Sequence, residues 1–332
     1  MTRVRVGVLG CADIAARRTV PAMRRTPGLE VVAVASRDPA RAERFGERFG
    51  LRPVPGYERL LADDGVDAVY VPLPAALHAE WVERALHAGK HVFAEKPLTD
   101  RHDRTATLVD LARERGLVLM ENTMFLHHSQ HTEVRRLLAE GVLGELRGLS
   151  AAFTIPPKPP GDMRYLPDVG GGALLDVGVY PVRTALHFLG PDCDVVGAVL
   201  RDSPRGATLS GHVLLAAPGG VAAELSFGME HSYRSRYELT GSLGRLRLDR
   251  AYTPPADHRP VLELDRGDRV ERVVLAPDDQ FAGSTAAFAR AVVAGQAPAE
   301  HLEGVLRQAA LVDRISTAAR RVVIEPDPGR TW

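Results

Sequence analysis

Two segments carry side chains that could move a proton to or from a carbonyl. In Phe93-Ala94-Glu95-Lys96-Pro97 an ammonium follows an apolar run, and only three of the 42 basic residues are lysines: Lys90, Lys96 and Lys158. Against that arginine bias, a lysine at the end of a strand-like run carries weight. The second segment is Gly170-Gly171-Gly172-Ala173-Leu174-Leu175-Asp176-Val177-Gly178-Val179-Tyr180-Pro181-Val182-Arg183. Asp176, Tyr180 and Arg183 recur at i, i+4 and i+7, which predicts one helical face, and Gly178 leaves the turn between them slim enough for something to approach. A tyrosine, with an ordinary pKa of about 10, can protonate a developing alkoxide when a nearby cation eases its ionisation. Tyr180 as acid and Lys96 as supporting cation therefore make a coherent pair. A structural Asp–Tyr pair and a solvated lysine are the plainer readings of each segment alone.

A third motif needs a strand and a helix to position it. Gly7-Val8-Leu9-Gly10-Cys11-Ala12-Asp13-Ile14-Ala15 offers Gly10-x-Ala12-x-x-Ala15 where Gly-x-Gly-x-x-Gly/Ala would bring backbone close to a dinucleotide pyrophosphate. Gly10, Cys11, Ala12, Asp13 and Ile14 are the expected contacts, with a methyl at the second position tightening the approach. The next strand-like run, Val31–Ala35, ends in Ser36-Arg37-Asp38. An acidic residue there would select a free ribose 2′-hydroxyl, whereas the Ser36 hydroxyl and Arg37 guanidinium suit a 2′-phosphate, so NADP is expected over NAD. Asp38 is placed to cap the following helix.

The elements around these motifs alternate in period. Apolar runs at Val4–Leu9, Val31–Ala35, Ala68–Val71, His91–Ala94 and Val118–Met120 are separated by helical stretches near 14–25, 39–49, 78–88 and 103–115. Continuous Val-rich runs spaced by helices predict a doubly wound parallel sheet covered on both faces, residues 1–122. Beyond about residue 124 the pattern changes. A helix near 131–140, a strand near 147–155, a Pro-rich loop and a helix after the triple glycine precede about six alternating segments between 194 and 275. Gly-rich turns leave no room for helices there, which predicts an open, mainly antiparallel sheet in an α+β domain over 123–332, completed by helices near 285–294 and 301–319 and a last strand at 322–324.

The 332 residues suit two domains. Lys+Arg and Asp+Glu both number 42, so no bulk charge draws the chain to nucleic acid or an anionic membrane, and no apolar run reaches a bilayer-spanning length. Cys11 and Cys193 make no disulfide framework, and Met1–Val6 runs into a strand rather than a signal peptide, so a cytoplasmic protein is expected.

Together the strand–Gly turn at Gly7–Ala15, Glu95-Lys96-Pro97 and Asp176-x-Gly178-x-Tyr180 after a triple glycine resemble the Gfo/Idh/MocA oxidoreductase family, in order and spacing over essentially the whole chain. Many members carry His where Tyr180 stands, and Tyr there is similar to the branch of dihydrodiol dehydrogenases, glucose–fructose oxidoreductases and sugar ketoreductases. More narrowly, Gly10–Ala15 with Arg17-Arg18-Thr19-Val20-Pro21, and Glu121-Asn122-Thr123-Met124-Phe125-Leu126-His127-His128, resemble the actinomycete nucleotide-sugar 3-ketoreductases of deoxysugar pathways. The resemblance implies NADPH-dependent reduction at C3 of a dTDP-3,4-diketo-2,6-dideoxyhexose, with Tyr180 protonating the alkoxide and Lys96 holding the sugar. It implies a cis peptide before Pro97, a nicotinamide ribose near Leu73, Pro74 and His78, and cofactor contacts from Glu95, Lys96, Asn122 and Arg164. Asp176 would orient the substrate, His127 would line its pocket, and the antiparallel face would make a homodimer or homotetramer. The alternative is an NADP-dependent dehydrogenase of a free sugar or a trans-dihydrodiol. A ligand sensor of this fold would have no reason to keep both Lys96 and Tyr180.

The remaining candidates are weaker. His127 and His131 have His-x-x-x-His spacing, but neither the acidic neighbour of a zinc-protease motif nor a Cys-x-x-Cys accompanies them, so no metal is expected. Trp81 reads as core, and Lys158 as either a diphosphate contact or a solvated loop residue.

Overall fold

The computed structural model describes residues 3–159 and 161–324. They form two compact units, one running up to His127 and including Gln280–Leu306, the other comprising His128–Asp279 and the described residues from Arg307 on.

The first unit holds a six-stranded parallel sheet. Its elements are β1 (Val4–Leu9), a π-turn (Ala15–Thr19) leading into α1 (Val20–Arg25), β2 (Leu29–Ser36), α2 (Pro39–Phe49), β3 (Arg52–Pro55), α3 (Tyr57–Leu61), β4 (Ala68–Val71), α4 (Ala75–His87), β5 (His91–Ala94), α5 (His102–Glu114) and β6 (Leu119–Glu121). The strand order is β3-β2-β1-β4-β5-β6. Side chains alternate across the sheet and both faces are apolar, which is why the strands read as continuous runs. Leu9, Val69, Val71, Val92 and Ala94 pack on one face with Tyr57, Trp81 and Leu86. Val6, Val8, Tyr70 and Phe93 pack on the other with Met23 and Phe45. Trp81 is core, as its position in an amphipathic helix predicts.

Two pieces of this unit escape the sequence pattern. β3 carries Pro53 and Pro55, which suppress a strand signal yet are tolerated because β3 is an edge strand with no ladder to feed on its outer side. Helix α8 (Gln280–Ala294), which the partition at 122/123 assigns to the second domain, groups with the parallel sheet. Phe288 is fully buried there and stacks on Phe93 at 5.0 Å between ring centroids, on the face that also holds Met23 of α1 and Phe45 of α2.

The second unit is built on a nine-stranded sheet. Its elements are α6 (Ser129–Ala139), β7 (Leu146–Thr154), a π-turn (Leu174–Gly178) leading into α7 (Val179–Leu189), β8 (Asp194–Asp202), β9 (Thr208–Ala216), β10 (Ala222–Gly228), β11 (Arg234–Gly241), β12 (Arg245–Asp249), β13 (Val261–Asp265), β14 (Val270–Val274) and β15 (Arg320–Val323). Helix α9 (Ala299–Ala318) begins in the first unit and ends in this one. The order β14-β13-β12-β11-β7-β10-β9-β8-β15 is mainly antiparallel, with parallel pairs at β7·β10 and β8·β15. Seven strands, β8 to β14, occupy the stretch in which the turn spacing predicts about six. Among the described residues no helix is long and apolar enough to cross a membrane.

Candidate active site

At the carboxyl end of β1, Gly10 adopts φ +116°, a conformation that favours glycine, and a Cβ there would lie 2.9 Å from Leu73 Cδ2. Its N–H donates to the Ala35 carbonyl at 2.9 Å, tying the turn to β2. Ala12 begins the helical turn, its carbonyl accepting from the Ala16 N–H at 3.1 Å. Asp13 pairs with Arg17 on the exposed side of the first turn, and Ile14 precedes the π-turn with helical backbone angles. Bare backbone opening a helix is what a pyrophosphate requires.

Beside it the end of β2 gathers hydroxyl and guanidinium groups. Ser36 is buried, and Asp38 Oδ1 caps α2 by accepting from the Ala40 N–H at 3.0 Å. Burial raises the pKa of the Tyr57 phenol, and the Arg37 guanidinium, hydrogen-bonded to its hydroxyl, works against that rise. Arg41 donates to the Cys11 carbonyl at 3.3 Å while the Cys11 thiol donates to the Arg41 carbonyl at 3.5 Å. Burial pushes the Cys11 thiol up; Arg41 and the Ser36 hydroxyl work against it. Arg41 and Tyr57 are absent from the sequence-derived set. Arg41 was findable, because it follows Arg37 by four residues and lies in the first turn of α2.

The third group surrounds the end of β5. Glu95 is buried and its Oε1 accepts from the Tyr70 hydroxyl at 2.6 Å and from Asn122 Nδ2 at 2.8 Å. The Tyr70 oxygen also reaches Thr19 Oγ1 at 2.9 Å, and Asn122 Oδ1 accepts from Ser284 at 2.8 Å. Burial and the Glu95 carboxylate hold the Tyr70 phenol well above its ordinary range. Glu95 and Asn122 are thus linked through their side chains to the π-turn behind the Gly10 loop and to α8. The Lys96–Pro97 peptide is cis, as the resemblance implies, and Lys96 is half-buried where β5 ends. His78 is buried with both ring nitrogens on backbone carbonyls, Nδ1 to Pro97 at 2.8 Å and Nε2 to Leu73 at 2.7 Å. Burial pushes its imidazole down, opposed by those carbonyls and by Glu95 and Glu121. His127 closes a 3-10 turn, Met124–His127, and its carbonyl would stand 2.8 Å from a Cβ on Gly283.

In the second unit the triple glycine has a structural task. Gly171 allows no side chain, since a Cβ would meet the carbonyls of Met163, Leu166 and Arg164 at 2.5–2.8 Å. Gly171 and Gly172 N–H groups bond to the Leu166 and Arg164 carbonyls, folding the preceding loop back so that Arg164 Nε reaches Asp176 at 2.7 Å. Arg164 also pairs with Asp162 at 3.1 Å. Burial pulls its pKa down, but the two carboxylates outweigh it and the net shift is upward. Tyr180, in the first turn of α7, is buried edge-on to Phe153 at 4.9 Å and beside Tyr252 at 5.4 Å.

Three details depart from the sequence reading. The approach that Gly178 permits is made by the protein itself: a Cβ there would lie 3.1 Å from the Phe227 ring. Asp176 lies in the π-turn rather than in α7, and the extra residue of that turn breaks the simple i, i+4, i+7 face. His127 and His131 do not share a helix, because His128 caps α6 through the Gln130 N–H and interrupts it. His131 is buried with Nδ1 3.0 Å from the Tyr237 hydroxyl and Nε2 3.1 Å from the Ala251 carbonyl. Lys158 lies in the loop, its backbone N–H donating to the Tyr165 hydroxyl at 3.1 Å.

A Rossmann unit with a phosphate-type loop, a lysine at a strand end and a second unit carrying an Asp–Tyr helix define a two-domain oxidoreductase class. Residues 4–123 match an oxidoreductase family with an NAD-binding Rossmann fold, and residues 131–247 match the GFO/IDH/MocA C-terminal domain. The chain belongs to the Gfo/Idh/MocA oxidoreductase family. It is 58% identical over 320 residues to the dTDP-3,4-didehydro-2,6-dideoxy-alpha-D-glucose 3-reductase of Actinomadura kijaniata, covering 96% of each chain. It is equally identical over 320 residues to the enzyme of the same name from Streptomyces antibioticus, covering 96% of this chain and 98% of that one. A solved 3-ketoreductase from Actinomadura kijaniata in complex with NADP and TDP-benzene matches with a TM-score of 0.96 at 57% identity, covering 98% of this chain and all of the other.

Proposed function

We propose that the chain is an NADP-dependent 3-ketoreductase that reduces the C3 ketone of a dTDP-linked 3,4-diketo-2,6-dideoxyhexose. One observation carries the reading: a chain 58% identical to two reductases of that specificity keeps a lysine at the end of β5 and a buried tyrosine at the start of α7. The cofactor fits the residues present. Gly10, Cys11, Ala12, Asp13 and Ile14 would cradle the pyrophosphate, and Ser36 and Arg37, joined by Arg41, would hold the 2′-phosphate. Leu73 and Pro74 would line the nicotinamide ribose, with His78 supporting Leu73, while Glu95 and Asn122 hold the floor. When bound, NADPH supplies a hydride to C3.

The chain supplies the proton and the orientation. The Tyr180 phenol gives its proton to the C3 oxygen, and Lys96 holds the adjacent sugar oxygen and supports the phenolate that remains. Asp176 accepts from the sugar, its geometry set by Arg164, and His127 lines the pocket. The soluble sugar nucleotide and the two free thiols suit the cytoplasm. The enzyme works as a homodimer or homotetramer through the nine-stranded sheet, where Val261, Val270 and Val274 stand exposed on one face of β13 and β14. Light scattering on the purified protein tests this, and a monomer would exclude it.

The function is tested by following NADPH oxidation with the diketo sugar generated in situ by its 2,3-dehydratase, beside arms with NADH, free glucose and free xylose. Turnover with NADPH and the nucleotide sugar, abolished in Lys96→Ala and Tyr180→Phe, is expected. Activity confined to a free sugar with NADP would overturn the reading.

A further inference from the structure

His78 is within hydrogen-bond distance of two carbonyl oxygens, 2.8 Å from Pro97 and 2.7 Å from Leu73. A neutral imidazole donates once and would turn a lone pair toward the other oxygen. Both contacts are satisfied only by a ring that donates from both nitrogens. Its neighbour across the backbone is Glu121, buried, whose Oε2 accepts from the Leu98 N–H at 2.7 Å. The Pro97 carbonyl and the Leu98 N–H belong to one peptide group. A donor therefore grips that peptide at its oxygen and a carboxylate grips it at its nitrogen, immediately after Lys96. The Thr123 hydroxyl donates to the other Glu121 oxygen at 2.6 Å, fixing the carboxylate.

We propose that His78, as a double donor, and Glu121 form a charge-matched pair acting through the Pro97–Leu98 peptide, and that this pair is the positioning device for Lys96. Each partner polarises the peptide in the sense that strengthens the other's hydrogen bond. Burial is the largest influence on the imidazole and lowers its pKa, favouring the neutral ring. The Pro97 and Leu73 carbonyls, then Glu95 just beyond β5 and Glu121 at the end of β6, oppose it, and it is the two short carbonyl contacts that call for the second proton. The second nitrogen extends the grip to Leu73, so the loops after β4 and β5 move as one body. His78 and Glu121 touch neither cofactor nor sugar in this scheme. The catalytic consequence rests on Lys96 working as proposed above, whereas the clamp itself does not.

The scarcity of lysine makes the test direct. Reductive 13C-methylation of the full-length protein labels the N-terminal amine with Lys90, Lys96 and Lys158, and Lys96→Ala identifies the Lys96 signal. Glu121→Gln keeps an acceptor for the Leu98 N–H but removes the charge, and His78→Gln keeps one donor. Both are expected to move the Lys96 resonance and its titration midpoint while Lys158 stays put. In 15N-histidine-labelled protein at pH 7.5, His78 is expected to show two protonated nitrogens, and Glu121→Gln to lower the pH at which the second proton leaves. In the reductase assay each variant is expected to lose about 10²-fold in kcat, the scale of a ~1 Å misplacement, with KM for NADPH held. The double variant should be no worse than the poorer single one. A singly protonated His78, an unmoved Lys96 signal, losses that multiply, or loss of NADPH binding in the variants overturns the proposal. A wild-type enzyme inactive on the nucleotide sugar that still gives the expected NMR results would overturn the proposed function and leave the clamp standing.

Discussion

Gly211→Ala would disturb the candidate acid from a strand that carries no chemistry. Gly211 in β9 lies opposite Phe227 in β10, and the ring, 1% exposed, covers it. A Cβ on Gly211 would stand 2.4 Å from Phe227 Cζ and 2.6 Å from Leu200 Cδ2, roughly 1 Å inside ordinary contact. The ring cannot retreat along its length, because its base already faces Gly178 at a distance where a Cβ would lie 3.1 Å away. Overpacking of this kind costs about 1–3 kcal/mol. A shift of about 1 Å passed to the π-turn displaces Tyr180, two residues beyond Gly178, and is expected to lower kcat by about 10²-fold. Urea unfolding measures the first quantity and NADPH oxidation the second. Phe227→Leu in the same chain should recover much of both by removing the ring tip. A Gly211→Ala protein within about 0.5 kcal/mol of wild type and fully active would refute the claim that the ring is trapped.

Other expectations follow from the same geometry. Arg41→Ala should raise KM for NADPH about ten- to a hundredfold, the worth of a charge-assisted hydrogen bond, and leave KM for NADH unchanged; equal effects on both would remove Arg41 from the 2′-phosphate site. Tyr70→Phe strips one donor from the buried Glu95 and should destabilise the protein by about 2 kcal/mol in urea titrations. Burial, with Arg135 and Arg183 nearby, pushes His187 down to about 4, so the fold holds it neutral while the unfolded chain protonates near pH 6.5. The unfolded state then binds more protons below pH 6.5, and stability falls as pH drops from there toward 4, with about 2 kcal/mol lost by pH 5. His187→Gln should flatten that part of the stability–pH curve, and an unchanged slope would exclude His187 as its source.

What could be read without coordinates had local causes. The parallel sheet was legible because both of its faces are buried, which writes each strand as an uninterrupted apolar run. Lys96 was legible because its type and its place after His91–Ala94 are visible in five residues. β3 was hidden by Pro53 and Pro55, which an edge strand tolerates and a central one would not. Gly178 marks a close approach, but the group that makes it, Phe227, lies 49 residues further along the chain and has no local signal. Helix α8 was assigned by position along the chain, whereas Phe288 stacking on Phe93 assigns it by burial.

That division has a physical origin in how the residues around Lys96 act. Lys96 needs only a strand to carry it to the end of the sheet, so its signal is short in sequence. Holding it still requires opposed groups at both ends of one peptide, and these come from the helix after β4 and from the end of β6, at His78 and Glu121. Neither announces this pairing in the sequence, since a buried histidine on an amphipathic helix and a glutamate closing a strand look by themselves like ordinary core and surface. Their pairing exists only once β4, β5 and β6 lie side by side in register, with Ala94 opposite both Val71 and Glu121. The reacting group is therefore written locally, while its precision is a property of the assembled sheet, and substitutions at His78 or Glu121 should weaken the chemistry without touching a residue that performs it.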